Sequence, residues 1–196
     1  MNRRIPHVLS ALAVVVLLPV VASAQTGLGV RAGSIAVSGD HVEMDASTAF
    51  GAHMAIGFIP VLKVQVGAEY LKGTATYNYG TGLPDLEEDF QAISLFVDVR
   101  YPISVLPLFP IKPVVGGGLN LNLMSYVDQA TFLSGSGLTG DPADYTNSGY
   151  HLMFGLLFDP PVLPFTITAE YRIQSIALED DTVTNKGVVV GLTFGF

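Results

Sequence analysis

The chain has 196 residues, of which 49% are hydrophobic and 13% charged; an ordinary soluble domain carries about 25% charged residues. That length bounds the chain to one domain or two small ones, and the composition is too apolar for an ordinary soluble enzyme or a disordered chain. The 17 acidic residues outweigh the 9 basic ones and cysteine is absent, which excludes a phosphate-neutralising nucleic-acid binder, disulfides and thiolate zinc centres.

Residues 1–24 read as an export address. Arg3 and Arg4 precede an apolar run from Val8 to Leu18 that only Ser10 interrupts. Pro19 ends the run, and Ala22-Ser23-Ala24 offers small residues where a signal peptidase reads them. Counted to Ala22 the run is 15 residues long, short of the ~20 that a spanning helix needs. The expectation is a signal peptide cleaved before Gln25, with 25–196 forming the mature domain. That domain has no stretch of 18 or more apolar residues, so a membrane-embedded chain of this kind must cross as a closed barrel of strands.

Eight segments of alternating polarity follow. The first, 27–36, sets Leu28, Val30 and Ala32 against Gly29, Arg31 and Gly33. The second, 49–58, sets Phe50, Met54 and Ile56 against Gly51, His53 and Gly57. The third, 63–75, opposes Val64, Val66 and Tyr70 to Lys63, Gln65 and Glu69. The fourth, 91–101, opposes Ile93, Leu95, Val97 and Val99 to Ser94, Phe96, Asp98 and Arg100. In the fifth, 114–124, Leu119, Leu121 and Leu123 face away from Gly118, Asn120 and Asn122. In the sixth, 150–158, Leu152, Phe154 and Leu156 face away from His151, Met153 and Gly155. The seventh, 165–176, has Ile167, Tyr171 and Ile173 against Thr168, Glu170 and Arg172. The eighth, 186–196, has Val188, Val190, Leu192 and Phe194 against Val189, Gly191 and Thr193.

A soluble barrel points its apolar face inward. Here the other face carries four cations and three carboxylates, which cost several kcal/mol each in lipid. The charges therefore belong in the lumen and the apolar face meets lipid. The predicted fold is all-β: an eight-stranded, antiparallel, up-and-down transmembrane barrel. Pro-rich connections after the second, fourth and sixth segments read as periplasmic turns, and polar acidic ones after the odd segments as outer loops.

The signal, the eight alternating strands and the terminal sequence Val188-Val-Val-Gly-Leu-Thr-Phe-Gly-Phe196 resemble the small eight-stranded outer-membrane barrels, the OmpA-like and OmpX-like group. The resemblance covers the whole mature chain, without the peptidoglycan-binding domain that OmpA itself carries. It implies a Gram-negative outer-membrane location in the cell envelope. It also implies that a terminal strand with Val190, Leu192, Phe194 and Phe196 is read by the barrel assembly machinery.

Strand parity sends Arg31, Lys63, Arg100 and Arg172 into the lumen with Glu69, Asp98 and Glu170. Counting from the periplasmic ends puts Arg31, Glu69, Glu170 and Arg172 at mid-height, and Lys63, Asp98 and Arg100 near the periplasmic rim. Eight strands leave a bore just wide enough for side chains to fill, so these groups read as a structural plug, with a gated conduit as the alternative. Arg172 or Arg31 is the expected partner of Glu170. Inward glycines make room for the long side chains or outline a ligand cavity. Phe58, Tyr101, Phe158, Phe165 and Phe196 form a periplasmic aromatic girdle. Lys72 and Lys186 point outward at the opposite end, as lipopolysaccharide contacts or as solvated strand ends. The outer loops hold 13 of the 17 acidic residues and no Lys or Arg, a self-repelling surface without metal-ligand spacing.

No nucleophile and base are brought together by the strand geometry, and no nucleotide loop or metal motif is present. The expectation is therefore no catalytic residue, no cofactor and no metal. The function read from the sequence is an outer-membrane barrel with a charge-plugged lumen and a structural or surface-interaction role. Its partners are outer-membrane lipid, lipopolysaccharide, the assembly machinery and an extracellular partner of unknown identity. A porin-like channel or transporter for small or hydrophobic molecules is the alternative, and a soluble periplasmic ligand-binding barrel the third reading.

Overall fold

The structure is a computed structural model, and it describes residues 25–59, 62–78, 85–103, 110–126, 143–160, 162–177 and 182–195. The signal segment 1–24 and Phe196 lie outside the described residues. The elements are β1 (Gln25–Ser38), β2 (Val42–Ile59), β3 (Leu62–Tyr77), β4 (Leu86–Pro102), β5 (Ile111–Tyr126), β6 (Ala143–Phe158), β7 (Phe165–Ala177) and β8 (Thr182–Gly195). Each strand pairs antiparallel with the next, and β1 pairs with β8 from Gly27–Gly195 to Ser38–Thr184, which closes the barrel. No helix of the described residues is long and apolar enough to cross a membrane; the strands do the crossing.

Burial shows which face is which. Leu119 is 70% exposed on the outside, whereas Arg31 is 4% and Glu170 2% exposed inside. Leu28, Val30, Phe50, Leu95, Leu121, Leu152, Phe154 and Val190 are likewise exposed large apolar residues. Such an outer surface is stable only against hydrocarbon, because in water it would form one continuous apolar patch. Tyr101 stands exposed at the short-turn end, and Phe158 and Phe165 are half-buried at the same end. The side chain of Phe58 lies outside the description.

The strands are longer than the sequence segments. They run from 13 residues in β7 to 18 in β2, against about 9–11 needed to cross a bilayer. Much of what reads as acidic loop is strand: Glu43 and Asp45 belong to β2, Glu87, Glu88 and Asp89 to β4, and Asp144 to β6. The reason is a reversal of polarity. On β3 the outward residues Val64, Val66, Ala68 and Tyr70 give way to Lys72, Thr74 and Thr76, while the inward Lys63, Gln65, Gly67 and Glu69 give way to Leu71, Gly73, Ala75 and Tyr77. The ladder to β4 runs unbroken through the change, from Lys63–Arg100 to Tyr77–Leu86.

The same change occurs around the barrel. The outward face turns polar at Ser34, Thr48, Lys72, Gln91, Ser125, Ser148, Ser175 and Lys186. Above that ring the interior is a packed apolar core that includes Ile35, Val37, Val42, Met44, Leu71, Tyr77, Phe90, Met124, Ile176 and Val183. Register shifts between Ile35 and Val37 and between Glu43 and Ala49 fall in this upper part. They re-aim single residues, as bulges do, and blur the alternation there.

Candidate functional site

The lumen is the site, and it is stacked in storeys. Uppermost is the apolar core. Beneath it lie amides: Gln174 Nε2 donates to Asn122 Oδ1 at 3.0 Å, and Asn122 Nδ2 to the Asn147 carbonyl at 3.4 Å. Beneath the amides is a charged storey of three arginines and three carboxylates, all buried.

Glu170 on β7 is the hub of the charged storey. Arg100 Nη1 lies 2.7 Å from its Oε2, and Arg100 Nη2 donates to its Oε1 at 3.1 Å. Arg172 Nη2 donates to the same Oε1 at 3.3 Å and Nη1 donates to Glu69 Oε2. Arg100 also holds Asp98, with Nε donating to Oδ1 at 3.0 Å. Arg31 is held differently. Its guanidinium lies 3.7 Å from the centroid of the Phe96 ring, 3.8 Å from Glu69 Oε1 and 3.7 Å from Glu170 Oε1. A cation over an aromatic face is stabilised by the ring quadrupole. His53 Nε2 shares a 2.8 Å hydrogen bond with Thr193 Oγ1, and His151 Nε2 stands 3.7 Å from Asp98 Oδ2.

Glycine makes this layer possible. A Cβ on Gly51 would stand 2.7 Å from Glu69 Cγ and 3.2 Å from Arg31 Cγ. The other inward glycines include Gly73, Gly149 and Gly187, placed beside Met44, Asn120 and Ile35.

Two of the sequence expectations are corrected. Asp98 and Arg100 are not at the rim: Arg100 reaches the central hub, because neighbouring strands are staggered in a tilted barrel and the guanidinium arm is long. Arg172 and Arg31 both pair with Glu170, as expected, and Arg100, which the expectation did not include, lies nearest of the three. Lys63 stands apart from the network, half-buried in a cavity at the short-turn end. Lys112, which the sequence reading did not single out, sits at that same end with Nζ 3.1 Å from Asp159 Oδ2.

Outside, Lys72 and Lys186 are exposed at the ring where the belt ends, and Lys72 Nζ lies 3.2 Å from Asp89 Oδ2. Val190 and Phe194 are exposed on the lipid face of β8 and Leu192 is half-buried there. Among the described residues no group of three or more His, Cys, Asp or Glu is arranged to hold a metal ion.

A closed antiparallel barrel with an apolar belt outside and paired charges inside is a transmembrane β-barrel of the outer-membrane kind. The family model described as "Outer membrane protein beta-barrel domain" matches residues 8–196, and the chain belongs to that family. Among solved structures it is similar to Neisserial surface protein A, at 18% identity and a TM-score of 0.63, covering 87% of this chain and 97% of that one. It is also similar to the outer membrane protein AlkL, solved in DMPC lipid bilayers, at 11% identity and a TM-score of 0.54, covering 88% and 90%. At these identities the likeness is one of fold. No curated protein matches the chain in sequence.

Proposed function

We propose that the protein is a closed, non-enzymatic barrel whose role is structural or lies in contacts made by its outer strand ends and acidic loops. The observation that carries this reading is the stacked lumen. Three arginines pair with three carboxylates across the bore, and among the described residues an apolar core is packed above them. Eight strands enclose little more than their own side chains. The acidic outer rim, including Glu43, Asp45, Glu87 and Asp89, suits a basic or cation-bridged partner. Single-channel recording in planar bilayers tests the closed lumen. The expected result is no reproducible conductance from the folded protein; stable steps that Glu170→Ala alters without loss of fold would replace this reading with that of a channel.

One observation favours a second reading, uptake of hydrophobic molecules through the wall. The β4–β5 ladder ends at Gln91–Ser125, although β4 continues to Leu86. At that edge a surface cavity of about 260 Å³ is lined by outward Tyr70, Ile93 and Leu123 and by inward Ala92, Met124 and Tyr145. The inward residues belong to the packed core or abut it, so a guest would have to displace side chains to go deeper. Accumulation of a hydrophobic tracer in vesicles that carry the protein, against vesicles without it, discriminates the two.

A further inference from the structure

Below the charged storey the lumen opens into a cup of about 470 Å³ at the short-turn end, the periplasmic end of an outer-membrane barrel. Its size falls within the ~300–1,000 Å³ of small-molecule sites. Ala55, Leu163 and Pro164 supply apolar wall, Thr166 and Thr193 supply hydroxyls, and Asp159 stands at the mouth. The side chain of Lys63 lines the same cup.

Lys63 is the surplus charge of the lumen. Arg31, Arg100 and Arg172 are matched by Glu69, Asp98 and Glu170, and Lys112 by Asp159. Lys63 has no ion pair or hydrogen bond among the described residues. Gln65 adds a second, independent sign. It is 4% exposed and its Oε1 has no hydrogen-bond partner among the described residues. Together with Lys63 and Arg100 it lines a small void of about 30 Å³ that shares Ala55, Lys63, Thr166 and Thr193 with the cup. A buried amide without a partner is costly, and an amide can turn its NH₂ where its oxygen stands. Asp159, the carboxylate that also lines the cup, is held by Lys112 Nζ at 3.1 Å, so Lys63, the hydroxyls and the amide remain as a site for one oxyanion on an apolar body.

We propose that this cup binds the carboxylate or phosphate group of a small amphipathic molecule that enters from the periplasmic side, with Lys63 as the charge partner. The lipid-facing strands and the closed outer end play no part in it. An amphipathic carboxylate dissolved in the periplasm and the phosphate headgroup of an inner-leaflet lipid present the same chemistry.

The test uses the refolded barrel in phosphatidylcholine nanodiscs with its lysines carrying ¹³C-methyl labels. Lys63, Lys72, Lys112, Lys186 and the α-amine report, and Lys→Gln variants assign the four lysines. Octanoate is expected to shift the Lys63 signal saturably while Lys72 and Lys186 stay still, and neutral octanamide is expected to leave Lys63 unmoved. Lys63→Gln should weaken octanoate binding by about tenfold or more and leave the unfolding midpoint unchanged. Inorganic phosphate tests the oxyanion alone and should compete with octanoate. Nanodiscs with added phosphatidylglycerol separate the sources: displacement of octanoate there assigns the site to a lipid headgroup, and undiminished binding assigns it to a dissolved ligand. Equal shifts at all four lysines, no shift at Lys63, or a Lys63→Gln barrel as destabilised as one lacking Glu170 overturns the proposal; the last would make Lys63 an internal partner. None of these readouts depends on whether the barrel conducts, so failure here and failure of the closed-lumen reading are separable.

Discussion

The lower and upper halves of this barrel solve opposite solvent problems with the same strands. Below the ring marked by Ser34, Lys72, Gln91 and Lys186, the outer face is Leu, Val and Phe and the inner face is Arg, Glu and His. Above the ring, Thr74, Thr76, Asp89 and Glu87 look outward and Ala75, Tyr77 and Phe90 look inward. The hydrogen-bond ladder between β3 and β4 runs unbroken through the change. Backbone pairing is indifferent to solvent, whereas side chains are not: hydrocarbon outside permits polar groups only within, and water outside restores the ordinary apolar core. The protein is a membrane barrel with a soluble-type barrel stacked on it, and stability in the two halves has different origins.

The largest expected effect is in the lower half. Glu170 answers three arginines, so Glu170→Ala leaves positive charge in a dry layer and should destabilise by about 3–5 kcal/mol. Urea unfolding of the detergent-refolded barrel, followed by the mobility difference between boiled and unboiled samples, measures it. Neutralising the nearest partner as well, in Glu170→Ala with Arg100→Met, should restore most of the loss. If the double variant is no better than the single one, the charges are not coupled and the layer is not a plug.

A somewhat smaller effect is expected above the ring. Phe90 is 1% exposed in the upper core, and Phe90→Ala should cost about 3 kcal/mol by the lost transfer energy and the cavity left behind. The damage should be local. Amide exchange should rise in β3 and β4 above Lys72 and stay slow around Glu69 and Asp98, because the belt below does not rest on that core. Equal loosening of both halves would mean that they fold as one unit.

The belt was legible in the sequence because within each segment one phase of alternation held and placed charges opposite it. The upper core was not. Its apolar residues, such as Leu71, Ala75, Tyr77 and Phe90, occupy the inward parity that carries charge lower down, so the pattern resembles a strand that has ended. Two register shifts at Ile35–Val37 and Glu43–Ala49 add to the confusion. Parity puts the seven charges on the face opposite the apolar belt but does not give their heights. The stagger between strands brings Arg100 to Glu170 and leaves Lys63 below, and stagger is a property of the closed barrel rather than of any one segment. Phe96 stood on the charged face in the alternation, yet its part under Arg31 depends on Gly67, whose missing Cβ leaves space for the ring.

The smallest effect on stability sharpens the comparison from outside. Lys72 and Asp89 form an ion pair at 3.2 Å, like those of the lumen in length, but their side chains are 51% and 59% exposed. Water screens such a pair, so Lys72→Gln should change unfolding by no more than about 1 kcal/mol. The pair also bears on the proposed contact with lipopolysaccharide. Lys72 lies at the edge of the lipid-facing belt, where phosphates would meet it, and Asp89 competes with them for the ammonium. A ligand that binds only the folded barrel raises its apparent stability. Asp89→Asn should therefore enlarge the rise in unfolding midpoint that added lipopolysaccharide produces, Lys72→Gln should shrink it, and Lys186→Gln should shrink it further. If both Lys72→Gln and Asp89→Asn leave that rise unchanged, the lysine at this edge is a solvated strand end, and the ion pair belongs wholly to the water-facing half of the molecule.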